Sequence, residues 1–243
     1  MPPRRLGLAF AHPDDETFCV GGIVAKYAAA GVAIDLFCAT NGDAGKSAGV
    51  PVSSREELAE LRRNEEYVAA RLLGIQSIDF GGYRDGELAN TDADALIGSI
   101  VAFIRRTRPD VLIGFGPEGA PTGHRDHKAM SRATTAAFFL SGLKTAFPDQ
   151  ALEPYAAKRL FFHAWDFPFT DPRLRIESVP STCAIDVREY KDVKEAAFKV
   201  HATQQGSAAA FYGAALRDVE HLAFAAGVAQ PRPTIADLFD GIL

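Results

Sequence analysis

The 243 residues of this chain predict an α/β protein, a three-layer α/β/α sandwich around a mostly parallel sheet. Two observations lead there. Apolar runs of strand length alternate with longer stretches of helical composition, and that rhythm forms parallel sheets covered on both faces. Each helical stretch also stops at a recognisable breaker, Gly31, Gly74 or Pro109.

Residues 6–10 (LGLAF) are a short apolar run and read as a buried strand. Residues 17–30 have helical composition and meet Gly31, well suited to a left-handed helix end. Residues 32–40 (VAIDLFCAT) read as a second strand, and 41–45 (NGDAG) as the turn that breaks it. Ser53 and Ser54, with Glu56 and Glu57 behind them, make overlapping capping boxes. They open an amphipathic helix to Leu73. Residues 75–80 read as a short strand and 81–90 as a loop. Residues 91–94 (TDAD) cap a helix to about Arg108, where Pro109 stops it. Residues 110–115 (DVLIGF) are another buried strand. A loop rich in Gly and Pro follows, then a helix from about His124 to about Gly142. Right-handed crossovers are expected. Beyond Lys144 the rhythm loosens: 158–165 and 181–187 read as strands, 188–205 as a helix, and a further helix is expected after Gly206. No repeat, low-complexity tract or linker divides the chain, so residues 1–243 are expected to be one domain.

Composition narrows the function. The chain is 47% hydrophobic and 23% charged with a net charge of -5, ordinary for a soluble protein and wrong for a nucleic-acid footprint. Cys19, Cys38 and Cys183 lie far apart among apolar neighbours, which predicts buried free thiols in a reducing compartment. The first apolar run is too short for a signal peptide, and no run is long enough to span a membrane. A cytoplasmic location is expected.

Two motifs stand at the carboxyl ends of predicted strands, where open α/β sheets bind their ligands. His12-Pro13-Asp14-Asp15 follows the first strand, and His124-Arg125-Asp126-His127 follows the strand at 110–115. Histidines at i and i+3 share a helix face. With His12 and one of the two aspartates they make a three-ligand site for a divalent metal, with an open position for water. The other aspartate and histidine are then free for acid–base work; spacing alone does not say which aspartate binds the metal. Either motif by itself has an ordinary explanation, a helix cap or a surface pair. Together they hold half of the six histidines, at one edge of one sheet, and capping does not explain that. Gly114, Gly116 and Gly119 match a dinucleotide fingerprint formally, but Pro117 and Pro121 delay the helix it requires. They are read as a loop that places His124 and His127.

The run 11–16 (AHPDDE), with the later His-x-Asp-His region, resembles the zinc-dependent deacetylases of the N-acetylglucosaminyl-phosphatidylinositol deacetylase (LmbE-like) superfamily. Residues 40–45, Arg62 with Glu65, residues 83–86 (YRDG), and Lys194 with the closing HATQ of 201–204 extend the similarity in the right order. Residues 144–180, with the aromatic-rich run 161–167, match nothing in that pattern. The resemblance implies a Rossmann-like sheet, with residues 1–143 carrying the metal site and 144–243 completing the substrate rim. It implies Zn2+, with Fe2+ or Co2+ as other candidates, held by His12, Asp15 and His127. Asp14 would be the general base and a protonated His124 the stabiliser of the oxyanion, while either could return a proton to the leaving amine. Asp126 could orient a neighbouring histidine or be an exposed helix-start carboxylate. Arg62 and Asp43 would grip sugar hydroxyls, with Glu65 holding Arg62; the plainer reading is a surface pair and a turn aspartate. His201 would reach the edge of the site or cap structure. The implied reaction removes an N-acetyl group from an N-acetylglucosamine-type amino-sugar conjugate by attack of a metal-bound water. The alternative is an amidase cleaving a larger N-acyl or thiol-conjugate amide at the same site. A sugar-binding protein has no use for the extra carboxylate, and a phosphoesterase wants two metals. The partner is thus a small molecule, and a homo-oligomer stays open.

Overall fold

A computed structural model describes residues 3–166, 177–205 and 215–242. The chain alternates as expected through its first half: β1 (Arg5–Phe10), α1 (Asp15–Ala29), β2 (Ala33–Thr40), α2 (Arg55–Leu73), β3 (Ser77–Tyr83), α3 (Ala93–Thr107), β4 (Val111–Gly114) and α4 (Arg125–Leu140). β5 (Arg159–Ala164), β6 (Cys183–Asp186), α5 (Lys191–Val200) and β7 (Val219–Gly227) follow. The strands form one sheet in the order β3-β2-β1-β4-β5-β7-β6. Pairing is parallel from β3 through β5, and β7 is antiparallel to both neighbours. β2 and β4 are buried along their whole length, which is why each reads as an unbroken apolar run.

α1, α2 and α5 pack together, and α3 packs on α4. The chain steps from β1 out to β3, then returns to β4 on the other side of β1. Reversing direction with right-handed crossovers moves α3 and α4 to the opposite face. The carboxyl ends of β1 and β4 therefore flank the point where strand order reverses, and a crevice opens there.

Local signals account for most boundaries. Ser54 Oγ accepts from Glu57 N–H at 3.1 Å as the N-cap of α2, while Glu57 Oε2 accepts from the N–H of Ser53, one residue before the cap, at 2.6 Å. Asp92 accepts from the amides of Asp94 and Ala95 at the start of α3. Gly74, at φ 84°, ends α2. All three cysteines are free and buried.

Three expectations need correction. β3 runs on into the expected loop, because Tyr83 pairs with Thr40 of β2 past an irregularity that takes up residues 81 and 82. The helix expected over 188–205 is interrupted: α5 ends at Val200, and His201, at ψ 64°, turns out of the helical region and into the interior. β7 has no counterpart among the expected strands; its alanine-rich composition is not strand-like, and pairing with β5 and β6 on either side makes it one. Residues 206–214, where the helix expected after Gly206 would begin, lie outside the described residues, as does Phe167 of the aromatic run.

One buried ion pair fastens the C-terminal part to α1. Val20 leaves helical geometry at φ -141°, ψ 19°, and the chain restarts its helix beyond it. Glu220 on β7 accepts from the buried amides of Gly22 and Ile23 at 3.0 and 2.8 Å, and from Lys194 Nζ at 2.7 Å. Lys194 is 2% exposed. Replacing Glu220 by leucine should destabilise the protein by about 3–5 kcal/mol, because the ammonium is left buried and unpaired. Chemical denaturation of Glu220→Leu and of Lys194→Met/Glu220→Leu checks this: the double variant should recover much of the loss. Among the described residues no helix is long and apolar enough to cross a membrane.

Candidate metal centre and its cavity

The crevice collects the two motifs. His12 lies just past β1, Asp15 is the first residue of α1, and His127 sits in the first turn of α4. His12 Nδ1 is 3.3 Å from Asp15 Oδ2, His127 Nε2 is 3.3 Å from Asp15 Oδ1, and the two ring nitrogens are 3.3 Å apart. Ligands about 2.0–2.1 Å from a tetrahedral ion stand about 3.3 Å from one another, so the two ring nitrogens and the Asp15 carboxylate, which turns one oxygen to each of them, are spaced for a zinc-sized cation. His124 closes on the same place, its ring centroid 5.0 Å from that of His12.

The remaining ring nitrogens face acceptors. His12 Nε2 lies 3.0 Å from Asp85 Oδ1 and 3.3 Å from Asp126 Oδ2. His127 Nδ1 lies 2.8 Å from Ala120 O, in the loop after β4, and Phe115 stacks on its ring at 4.0 Å. Protons drawn outward leave His12 Nδ1 and His127 Nε2 as lone pairs pointing inward, the arrangement that outer partners impose on metal-ligating imidazoles. Asp126 is fully buried and also accepts from the amides of Gly86 and Leu88, so it is no exposed helix-start carboxylate. Asp126→Ala is expected to weaken metal binding about 10–100-fold without removing a ligand; competition with a metal-chelating dye measures it.

The electrostatics ask for a cation. Burial works against a charged His12, yet Asp126, Asp15 and Asp85 outweigh it and push its pKa well above the usual value. Burial would raise Asp15, but His127 and His12 hold it well below the carboxylate range. Asp14 behaves in the opposite way. Burial pushes its carboxyl up to about 7, only partly offset by Arg62. A carboxyl near neutrality suits proton transfer. His124 is pushed down, by burial and by the neighbouring His12 and His127. Its Nδ1 accepts from Asp126 N–H at 3.3 Å as the N-cap of α4, which leaves Nε2 to carry the proton. Both observations favour a neutral His124 with its proton on Nε2 over the expected imidazolium.

A cavity of about 240 Å³ opens over this cluster, lined among others by Asp14, Arg62, Asp85, His124, His127 and Gln204. Arg62 is 3% exposed and donates to Gly42 O at 3.0 Å and Pro13 O at 2.6 Å, with Asp14 Oδ2 at 3.4 Å. Its guanidinium passes so close to Gly42 and Gly45 that a Cβ on either would collide with it, which explains the glycines in that turn. The other expected sugar contacts do not line this cavity. Asp43 is held by Asp85 N–H at 3.0 Å and by Arg55 at 2.8 Å. Glu65 does not hold Arg62; it accepts from Thr203 N–H at 2.9 Å and Oγ1–H at 2.6 Å, tying α2 to the segment after α5. His201 is fully buried beneath the cavity, beside Glu16 and Glu66. Asp85 is a site residue to which the sequence reading gives no role of its own, although it lies in the YRDG run of the resemblance.

The family described as PIG-L, GlcNAc-PI de-N-acetylase, matches residues 8–138. This chain belongs to that family. It is 31% identical to the 1D-myo-inositol 2-acetamido-2-deoxy-alpha-D-glucopyranoside deacetylase of Rhodococcus jostii (strain RHA1), covering 84% of this chain and 82% of that one. Among solved structures it superposes on the N,N'-diacetylchitobiose deacetylase of Pyrococcus horikoshii with a TM-score of 0.74 at 24% identity, over 92% of this chain and 84% of the other. It also superposes on the 4-carboxy-2-hydroxymuconate hydratase GalB of Pseudomonas putida KT2440, with a TM-score of 0.76 at 18% identity, over 94% and 99%. These likenesses place the fold. Because one neighbour is a hydratase, the reaction has to be argued from the site.

Proposed function

We propose that this PIG-L family member is a zinc-dependent hydrolase that removes the N-acetyl group from an N-acetylglucosamine-type amino-sugar conjugate. One observation carries the reading: the His12 and His127 ring nitrogens and the Asp15 carboxylate stand 3.3 Å from one another, and Asp14 lines the same cavity without entering those contacts. The relative from Rhodococcus supports the substrate class by its name. In this reading His12, Asp15 and His127 hold the metal. When bound there, zinc supplies a Lewis acid that brings the pKa of water to about 7 and polarises the acetyl carbonyl. Asp14 takes the proton of the attacking water and, being then the nearest carboxylic acid, returns it to the departing amine. His124 donates its Nε2 proton to the oxygen that gains charge at the acetyl carbon. Asp85 and Asp126 keep His12 in the required tautomer. Residues 1–243 are read as one domain, and Gln204, beyond α5, lines the cavity, which supports a rim completed from beyond residue 143.

The test is acetate release from N-acetylglucosamine linked to inositol, linked to malate, and free, before and after chelation and on adding back Zn2+, Fe2+ or Co2+. Release that stops on chelation and returns with metal supports the reading. Release by protein verified as metal-free would overturn it. The same conjugates with longer acyl groups separate the deacetylase from the wider amidase.

A further inference from the structure

The peptide joining Pro13 to Asp14 is gripped at both of its polar ends by one helix. Arg62 Nη2 donates to Pro13 O at 2.6 Å, and Glu66 Oε2 accepts from Asp14 N–H at 3.0 Å. Arg62 and Glu66 are one turn apart on α2, so both lie on the face it presents to the crevice. What they grip is unusual backbone. Asp14 has φ 109°, ψ -23°, a conformation that a residue with a Cβ rarely adopts and that persists only where the surroundings enforce it. The consequence is specific. Asp14 occupies the N-cap position of α1 but makes no capping hydrogen bond with its side chain, so its carboxylate is aimed at the cavity instead of at the helix amides.

Glu66 is itself buried. It is fully exposed to nothing but protein, at 0% solvent exposure, and its carboxylate lies against those of Glu16 and the ring of His201, with donor or acceptor atoms of the three within 4.8 Å of one another. A carboxylate buried on a helix flank has no solvent reason to be there, and among the described residues the backbone group it accepts from belongs to Asp14.

We propose that Glu66 is a positioning residue: with Arg62 it clamps the Pro13–Asp14 peptide and thereby aims the Asp14 carboxylate at the reacting water. The proposal rests on the reading of Asp14 as the general base. It differs from any direct role in binding, since Glu66 does not line the cavity and is not among the metal ligands.

Two variants test it. Glu66→Met keeps the length of the side chain and removes the acceptor. Glu66→Gln keeps an acceptor for Asp14 N–H. Steady-state kinetics and metal content are measured on the purified metal-loaded enzyme for both, and for Glu66→Met combined with Asp14→Ala. Glu66→Met is expected to lower kcat about 10–100-fold, the scale of a misplacement near 1 Å, with KM and metal content unchanged. Glu66→Gln should recover kcat to within a few-fold of the parent. In the Asp14→Ala background, Glu66→Met should cost no further rate, because it has nothing left to aim. An unchanged kcat in Glu66→Met, a further loss in the Asp14→Ala background, loss of metal, or failure of both single variants to fold would each overturn the proposal. Full turnover by Asp14→Ala alone would instead overturn the general-base reading, so the two failures are distinguishable.

Discussion

Asp14→Ala is expected to lower kcat by roughly a hundred- to ten-thousand-fold, the usual contribution of a positioned general base, while metal stays bound. The two halves of that result have different origins. Metal retention follows from geometry: the 3.3 Å triangle is made by His12, Asp15 and His127, and Asp14 contributes no atom to it. Loss of rate follows from chemistry, because burial holds the Asp14 carboxyl at about 7, where it can take and return a proton near neutral pH. Metal analysis beside single-turnover kinetics reads both. If Asp14→Ala empties the site while Asp15→Ala does not, the roles of the two aspartates are exchanged.

Asp15→Ala and His127→Ala are expected to do the reverse, removing metal and activity together. Asp15 is the one carboxylate in the triangle. It touches both histidines, accepts from the His12 amide at 2.7 Å, and is kept ionised by His127 and His12 in spite of its burial. Without it, the two imidazoles face each other across a site with no negative ligand. The loss in affinity should exceed the roughly 10–100-fold expected for an outer partner such as Asp126. Equilibrium dialysis against zinc, compared across Asp15→Ala, His127→Ala and Asp126→Ala, orders the three. An Asp15→Ala protein that binds zinc as tightly as Asp126→Ala does would contradict the assignment.

The parts of this molecule visible in its sequence share a physical cause: they are local. β1, β2 and β4 are buried on both faces, and that leaves apolar runs no other element would show. The caps at Ser54 and Asp92 are contacts within four residues. His12 and His127 were legible because a parallel sheet delivers residues after its strands to one edge, whatever the distance along the chain. What escaped depends on which surfaces meet. β7 is a strand only because β5 and β6 bracket it. His201 ends a helix that composition would continue, because its ring is drawn into the interior. Glu65 and Glu66 both stand near Arg62 by spacing. Packing sends Glu65 to Thr203 and Glu66 to Asp14, and no pattern in the helix itself distinguishes them. Asp85 reaches His12 only because the loop after β3 folds across the carboxyl ends of the strands.

Anomalous scattering from a zinc-loaded crystal, collected on both sides of the zinc edge, tests the central assignment most directly. One peak is expected about 2.0–2.2 Å from His12 Nδ1, His127 Nε2 and an Asp15 carboxylate oxygen, with Asp14 outside the coordination sphere. Rings of His12 and His127 turned to separate regions, with the anomalous density lying elsewhere, would contradict it.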